Sequence, residues 1–361
     1  MNTNEKQTGS ALKALAWEGA TKRYGTISPE VAERLKLELD TFARIEAEPL
    51  LLILKDLVDH AREAGIAVGP GRSSTPGSLV CYCLGITDVD PLKFGLLFER
   101  FVSPDSCTLP QIDLDFGKGR RDKLFRYLRT KYGEDSVALK KNIIRLSVLD
   151  VIKDLDGEAI PLDDPETLGI FSRGDTDGVF LFESEGLKEH LRQMKTLSFE
   201  DIVSLNVLYR PGPMDCIPKF IDFANGKRRP DYDLPEEEDI LGMTHGVLVY
   251  QEQLMVLAER VAGFSPAEAD RLRKAVCRRD RLVLEELHGL FIAGGIAGGH
   301  AKESLEAVWN RWTERGQLAF NRSHAVCYTL IGYRMAWMKT HRPEEFGSYL
   351  RRIQEDPLLV E

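Results

Sequence analysis

Ten consecutive residues, Gly69-Pro70-Gly71-Arg72-Ser73-Ser74-Thr75-Pro76-Gly77-Ser78, hold three glycines, two prolines and four hydroxyl side chains. Neither helix nor strand propagates through such a segment, because proline lacks an amide donor and glycine keeps a freedom that regular structure must suppress. Apolar residues lie on both sides, at 66–68 and 79–84. The pattern predicts a strand, a loop and a helix in that order. A loop of this kind leaves backbone N–H groups free. With Arg72 and with Ser73, Ser74 and Ser78 at a helix start, it is a natural seat for a triphosphate, and an irregular connection is the plainer alternative. It is not a Walker A loop, since no Gly-Lys-Ser/Thr follows at the required spacing.

Ser28 and Pro29 form a cap and first turn, and Val31, Leu35, Leu39 and Phe42 follow at helical spacing, which predicts a helix over 29–46. A second helix is expected over 49–64, stopping at Gly65. Downstream, Ile112-Asp113-Leu114-Asp115-Phe116 alternates with period two, which predicts a strand with both aspartates on one face. The segment 118–131 then carries seven basic residues and one acidic residue.

Carboxylates at i and i+2 of a strand are about 7 Å apart at the backbone and can converge on one or two divalent cations. Two metals about 4 Å apart are what in-line phosphoryl transfer uses. The chain has five Asp-x-Asp triplets, so spacing alone selects nothing. The 113/115 pair stands out because apolar residues flank both aspartates and a basic helix follows.

An apolar stretch over 143–152 leads into a loop at 156–166, rich in Asp, Gly and Pro, which marks a domain boundary. The expected organisation is a polar lead (1–27), a first domain (28–155) and a mainly helical second domain (156–361). Within the latter, six of eleven residues are basic: Arg271, Arg273, Lys274, Arg278, Arg279 and Arg281. Such a run is a solvated helix face unless it meets acidic partners or phosphates. Asn321-Arg322-Ser323-His324, with Tyr328 beyond, adds hydrogen-bonding and stacking groups suited to a nucleotide, although a lone histidine is more often structural.

Over its 361 residues the chain carries 48 basic and 57 acidic side chains, a net charge of −9, so any polyanion contact must come from local patches. None of the six cysteines forms a CxxC pair, which fits a reducing compartment without zinc or disulfide roles. The longest purely apolar run, 50–54, is too short for a membrane span or a signal sequence, and the expectation is a cytoplasmic protein.

An ordered series of segments resembles the bacterial replicative DNA polymerase III alpha family, the C family of DNA polymerases. It comprises VGPGRSSTPGSLV at 68–80, ITDVDPLKFGLLFERFVSP at 86–104, LPQIDLDF at 109–116, DTDGVFLFES at 175–184, LYRPGPMD at 208–215, GVLVYQEQLM at 246–255 and AFNRSHAVCYTLIGY at 319–333. The resemblance implies an α+β fold: a nucleotidyltransferase palm like that of the polymerase beta superfamily, then mainly helical fingers. It implies that Asp113 and Asp115 are catalytic and hold two Mg²⁺ ions with a third aspartate. Gly71, Arg72, Ser73, Gly77 and Ser78 would bind the triphosphate. Arg210, Asn321, Arg322, Ser323 and His324 would contact the incoming nucleotide, with Tyr250 and Gln251 in a nearby motif. Arg271, Arg273, Lys274, Arg278 and Arg279 would face DNA. Primer-template DNA, a dNTP and other replisome or polymerase subunits are the implied partners, without a membrane.

Departures from the family pattern bear on the chemistry. The resemblance implies a thumb insertion after 131–137, which this chain lacks, and Asn142 aligns with the third catalytic aspartate. An amide accepts no proton from a primer hydroxyl and is a poorer ligand for a hard cation. Gln111 stands where the family has an acidic residue, and Leu181 where it has glutamine. Asp150 lies too far along the chain to be the expected replacement. The family's amino-terminal phosphatase-like domain and its C-terminal clamp-binding modules have no counterpart here. The expectation is therefore impaired template-directed DNA synthesis, with two alternatives: a catalytically inactive DNA- or nucleotide-binding accessory to a full polymerase, or a decaying copy.

Overall fold

The computed structural model describes residues 3–103, 105, 107–117, 121–134, 143–155 and 157–355. Asn142 and most of the junction preceding it lie outside the described residues. The chain divides into two compact units, one formed by Met1–Glu158 with Val326–Glu361 and the other by Ala159–Ala325. The second break falls inside the helix Arg322–His341, so residues 326–361 count with the first unit.

In the first unit, the helix Pro29–Arg44 begins where expected. Ser28 accepts a 3.3 Å bond from the Val31 amide, and Pro29 fills the first turn, where its missing donor costs nothing. Val31, Leu35, Leu39 and Phe42 are buried, and so is Glu38 on the same face. The helix Glu48–Glu63 follows and ends before Gly65, whose φ of +67° favours a residue without a side chain. These helices share a core with Leu12, Leu79, Val80, Leu114, Phe116 and Leu124.

Strand β1 (Leu114–Phe116) pairs in parallel with β2 (Ile143–Arg145), with Leu114 opposite Ile143. The strand expected at 66–68 is corrected to a single antiparallel bridge, Val68 to Phe116. Pro70 has no amide to extend a ladder, and the chain turns at Gly71, φ +135°. The alternating segment 112–116 shortens to three strand residues. Its aspartates are covered rather than open to solvent, with Asp113 8% and Asp115 1% exposed.

The helix Arg121–Tyr132 follows. Tyr127 and Tyr132 donate to Asp56 at 2.7 and 2.9 Å, and Lys131 donates to the same carboxylate at 2.6 Å. Part of the basic segment is thus spent within the fold.

The second unit is helical among its described residues. Ser198 with Asp201 and Ser265 with Glu268 form reciprocal capping boxes. Leu254, Leu257, Leu272, Phe291, Trp309 and Trp312 form its core. The architecture is α+β, with one two-stranded sheet among the described residues. No described helix is long and apolar enough to cross a membrane.

Candidate functional site

The glycine-proline loop and β1 meet. Gly69 donates its amide to the Asp115 carbonyl at 2.8 Å, and a Cβ at Gly69 would lie 2.8 Å from that of Asp115, so only glycine allows this approach. Gly71 then turns the chain, and Arg72 reaches back over the strand. Its Nη1 donates to Asp115 Oδ1 at 2.9 Å and to the Tyr328 hydroxyl at 2.9 Å. Tyr328 in turn donates to Asp115 Oδ2 at 3.1 Å. Beside them, Ser73 Oγ lies 3.4 Å from Asp113 Oδ2, and Gln111 Nε2 donates to both Asp113 oxygens at 3.1 and 3.2 Å.

Burial pushes the Asp115 carboxyl above the usual carboxylate range, against the opposing pull of Arg72 and the Tyr328 hydroxyl. Burial raises the Tyr328 hydroxyl, and the charge of Asp115 raises it further. Tyr328 therefore stays a donor. The three side chains form a closed, mutually satisfied set.

The far end of the loop is organised by a residue outside the expected site. Glu38 accepts from the Ser78 hydroxyl at 2.7 Å and from the Leu79 and Val80 amides at 2.9 Å each. Arg34 donates to Glu38 at 2.7 Å and to the carbonyls of Gly77 and Leu96 at 2.7 and 3.1 Å. The amides of Gly77 and Ser78 bond to Ser74 and Thr75. Donors expected to cradle a triphosphate at Gly77 and Ser78 are thus engaged internally. Arg72 and Ser73 are the loop side chains set beside the aspartates.

Two divalent ions do not fit the carboxylates as arranged. Both oxygens of Asp115 already receive donors, one of them cationic, and both oxygens of Asp113 receive the Gln111 amide. Among the described residues, no group of three or more His, Cys, Asp or Glu side chains comes together as a metal site. Asp150 sits against Gly117, where its Oδ1 would be 2.2 Å from an added Cβ.

The remaining expected nucleotide contacts belong to the second unit. Arg210 donates to the carbonyls of Val207 and Leu318 at 2.6 and 3.1 Å, and its guanidinium lies 4.3 Å from the Phe320 ring centre. Asn321 caps the helix Arg322–His341 by accepting from the His324 amide at 3.1 Å. Arg322 is buried, pairs with both oxygens of Glu200 at 3.0 and 3.1 Å, and stacks over Tyr250. Ser323 is fully buried, and its hydroxyl lacks a hydrogen-bond partner among the described residues.

In the basic run, Arg271 pairs with Glu286, and Arg273 and Lys274 share Asp270. Acidic partners therefore account for half of it. Arg278, Arg279 and Arg281 are exposed, with no ion pair recorded among the described residues.

Residues 10–162 match the bacterial DNA polymerase III alpha NTPase domain, and residues 135–299 match the finger domain of the same subunit. The chain belongs to the bacterial DNA polymerase III alpha family. It is 30% identical to the DNA polymerase III subunit alpha of Halalkalibacterium halodurans, with 96% of this chain and 43% of that protein aligned. The Bacillus subtilis subunit is 30% identical, covering 93% of this chain and 42% of its own length. The Aquifex aeolicus subunit is 28% identical, with 95% and 44% covered. The chain thus spans less than half the length of these polymerase III alpha relatives. The first of these alignments extends over 482 positions, longer than the whole 361-residue chain, so over a hundred positions of the relative have no counterpart within the aligned stretch.

No motif marks Glu38 and Arg34; their signal is a glutamate on the apolar face defined by Val31, Leu35, Leu39 and Phe42, four residues after an arginine.

Proposed function

We propose that the chain is a polymerase III alpha-type nucleotide- and primer-template-binding protein whose template-directed nucleotidyl transfer is impaired. The observation that carries this reading is the joining of Arg72 and Ser73 to Asp113 and Asp115. A loop cation and hydroxyl held beside paired carboxylates are the groups a nucleoside triphosphate and an attacking 3′-hydroxyl require. Arg72 supplies charge to a phosphate, Ser73 a hydrogen bond, and Asp113 a carboxylate beside them. The residues from 28 to 155 serve as the palm and the helical remainder as the fingers.

Three features support impairment: the engaged carboxylates, Asn142 aligned with a catalytic aspartate, and the long internal gap against the relatives, which matches an absent thumb. Divalent-ion dependence, a cytoplasmic location and association with other polymerase subunits belong to the same reading. A purely binding role, accessory to a full polymerase, is the second reading, favoured by the closed Arg72–Asp115–Tyr328 set.

Two titrations test the proposal: a labelled primer-template across a salt series, and displacement of a fluorescent nucleoside triphosphate by dNTP. The expected result is salt-sensitive DNA binding, and triphosphate binding that Arg72→Ala abolishes. A chain that binds neither ligand contradicts it.

A further inference from the structure

We infer that Arg72 is a built-in cation of this site: its guanidinium, with the Tyr328 hydroxyl, occupies the coordination positions of Asp115 and excludes divalent ions until it is displaced. Asp115 has two oxygens, and each already accepts a hydrogen bond, from Arg72 at 2.9 Å and from Tyr328 at 3.1 Å. The Asp115 side chain is 0% exposed and that of Arg72 26%. A divalent ion binding Asp115 must therefore enter a covered site and dislodge a charged partner. With both Asp115 oxygens already taken, an incoming divalent ion would lie beside the Arg72 guanidinium, and their repulsion is poorly screened in this covered site.

The enclosure is built rather than incidental. Arg72 also donates to Tyr328 at 2.9 Å, so guanidinium, phenol and carboxylate close a ring of three contacts. The Arg72 guanidinium lies 5.6 Å from the Tyr328 ring centre. Gly71 at φ +135° places Arg72, and a Cβ there would lie 2.6 Å from Pro76 Cγ. Asp113 is held differently, by neutral donors from Gln111 and Ser73. The two aspartates are thus unequal: a guanidinium donates directly to Asp115, whereas Gln111 and Ser73 reach Asp113.

This inference deepens the proposed reading of the site by naming what controls it. Triphosphate offers Arg72 an alternative anion, and moving the guanidinium to phosphate would uncover Asp115. Arg72 and Tyr328 are positioning residues, acting on Asp115.

The test measures Mn²⁺ binding to the full chain by calorimetry and by electron paramagnetic resonance, without DNA or nucleotide. Wild-type protein is expected to bind Mn²⁺ weakly. Arg72→Met, which keeps the aliphatic stem, is expected to bind about tenfold more tightly, and adding Asp115→Asn should remove that gain. Tyr328→Phe keeps the ring, loses one donor to Asp115, and should shift affinity in the same direction by a smaller factor. It decides the matter if Arg72→Met fails to fold. Tight Mn²⁺ binding by wild-type protein, or no gain in a folded variant, overturns the inference. Because no substrate is present, this outcome is separable from failure of the nucleotide-binding reading, which the triphosphate titration reports.

Discussion

Glu38 and Ser78, forty residues apart, are joined by a 2.7 Å hydrogen bond inside the core of the first unit. The same carboxylate takes the first amides of the helix Leu79–Cys83 and the Arg34 guanidinium. This buried glutamate gathers these donors and fixes the end of the glycine-proline loop.

Glu38→Ala removes the acceptor of two buried amides and of the Ser78 hydroxyl, and one of those of Arg34, and is expected to cost about 3 kcal/mol of stability. Glu38→Gln keeps an acceptor oxygen and should cost less. Urea unfolding monitored by circular dichroism measures both. A loss for the alanine variant below about 1 kcal/mol would show that the turn does not depend on this carboxylate.

Asp88 gives the stability a pH dependence. Burial raises its carboxyl, but Arg334 and Arg23, at 2.9 and 3.0 Å, outweigh that and hold it below the ordinary 3.8. A carboxyl depressed in the folded state contributes stability above pH 3.8, and the contribution is lost as pH falls through its folded value. Asp88→Asn should therefore destabilise by about 1–2 kcal/mol at neutral pH and by progressively less in acid. Thermal melts of both proteins across that range check this, and a difference that does not shrink as pH falls contradicts it.

Gly69→Ala tests the approach of loop and strand. The added Cβ would meet Asp115 Cβ at 2.8 Å, where neither backbone gives easily. The expected cost is about 1–3 kcal/mol. Displacement of a fluorescent nucleoside triphosphate, compared with wild type, should show weakened binding in the folded fraction.

The basic run divides into paired and unpaired halves, and DNA binding should report the division. Arg278→Gln with Arg279→Asn, the latter tolerated at φ +56°, should lower the slope of log affinity against log salt by about 2. Arg271→Gln, which removes the partner of Glu286, should leave that slope unchanged. Equal effects from both would mean that the ion pair opens onto DNA.

Much of this arrangement is legible in sequence. The cap Ser28-Pro29, the stop at Gly65 and the alternation around Asp113 and Asp115 locate helices and strand because each rests on local backbone chemistry. The strand expected at 66–68 is reduced to one bridge because its continuation depends on the proline and glycine that follow. Pairing is a long-range property. The Arg72–Asp115–Tyr328 ring joins residues up to 256 positions apart, and no local pattern encodes it. The basic run shows the same limit, since Arg271 and Lys274 look like phosphate ligands until Glu286 and Asp270 are placed beside them.

The most direct test of the account is single-nucleotide primer extension under single-turnover conditions with Mg²⁺ or Mn²⁺, comparing the wild-type chain with Asp113→Ala. The account predicts slow extension by the wild-type chain, abolished in the variant while its salt-sensitive DNA binding persists. Extension that survives Asp113→Ala would contradict it.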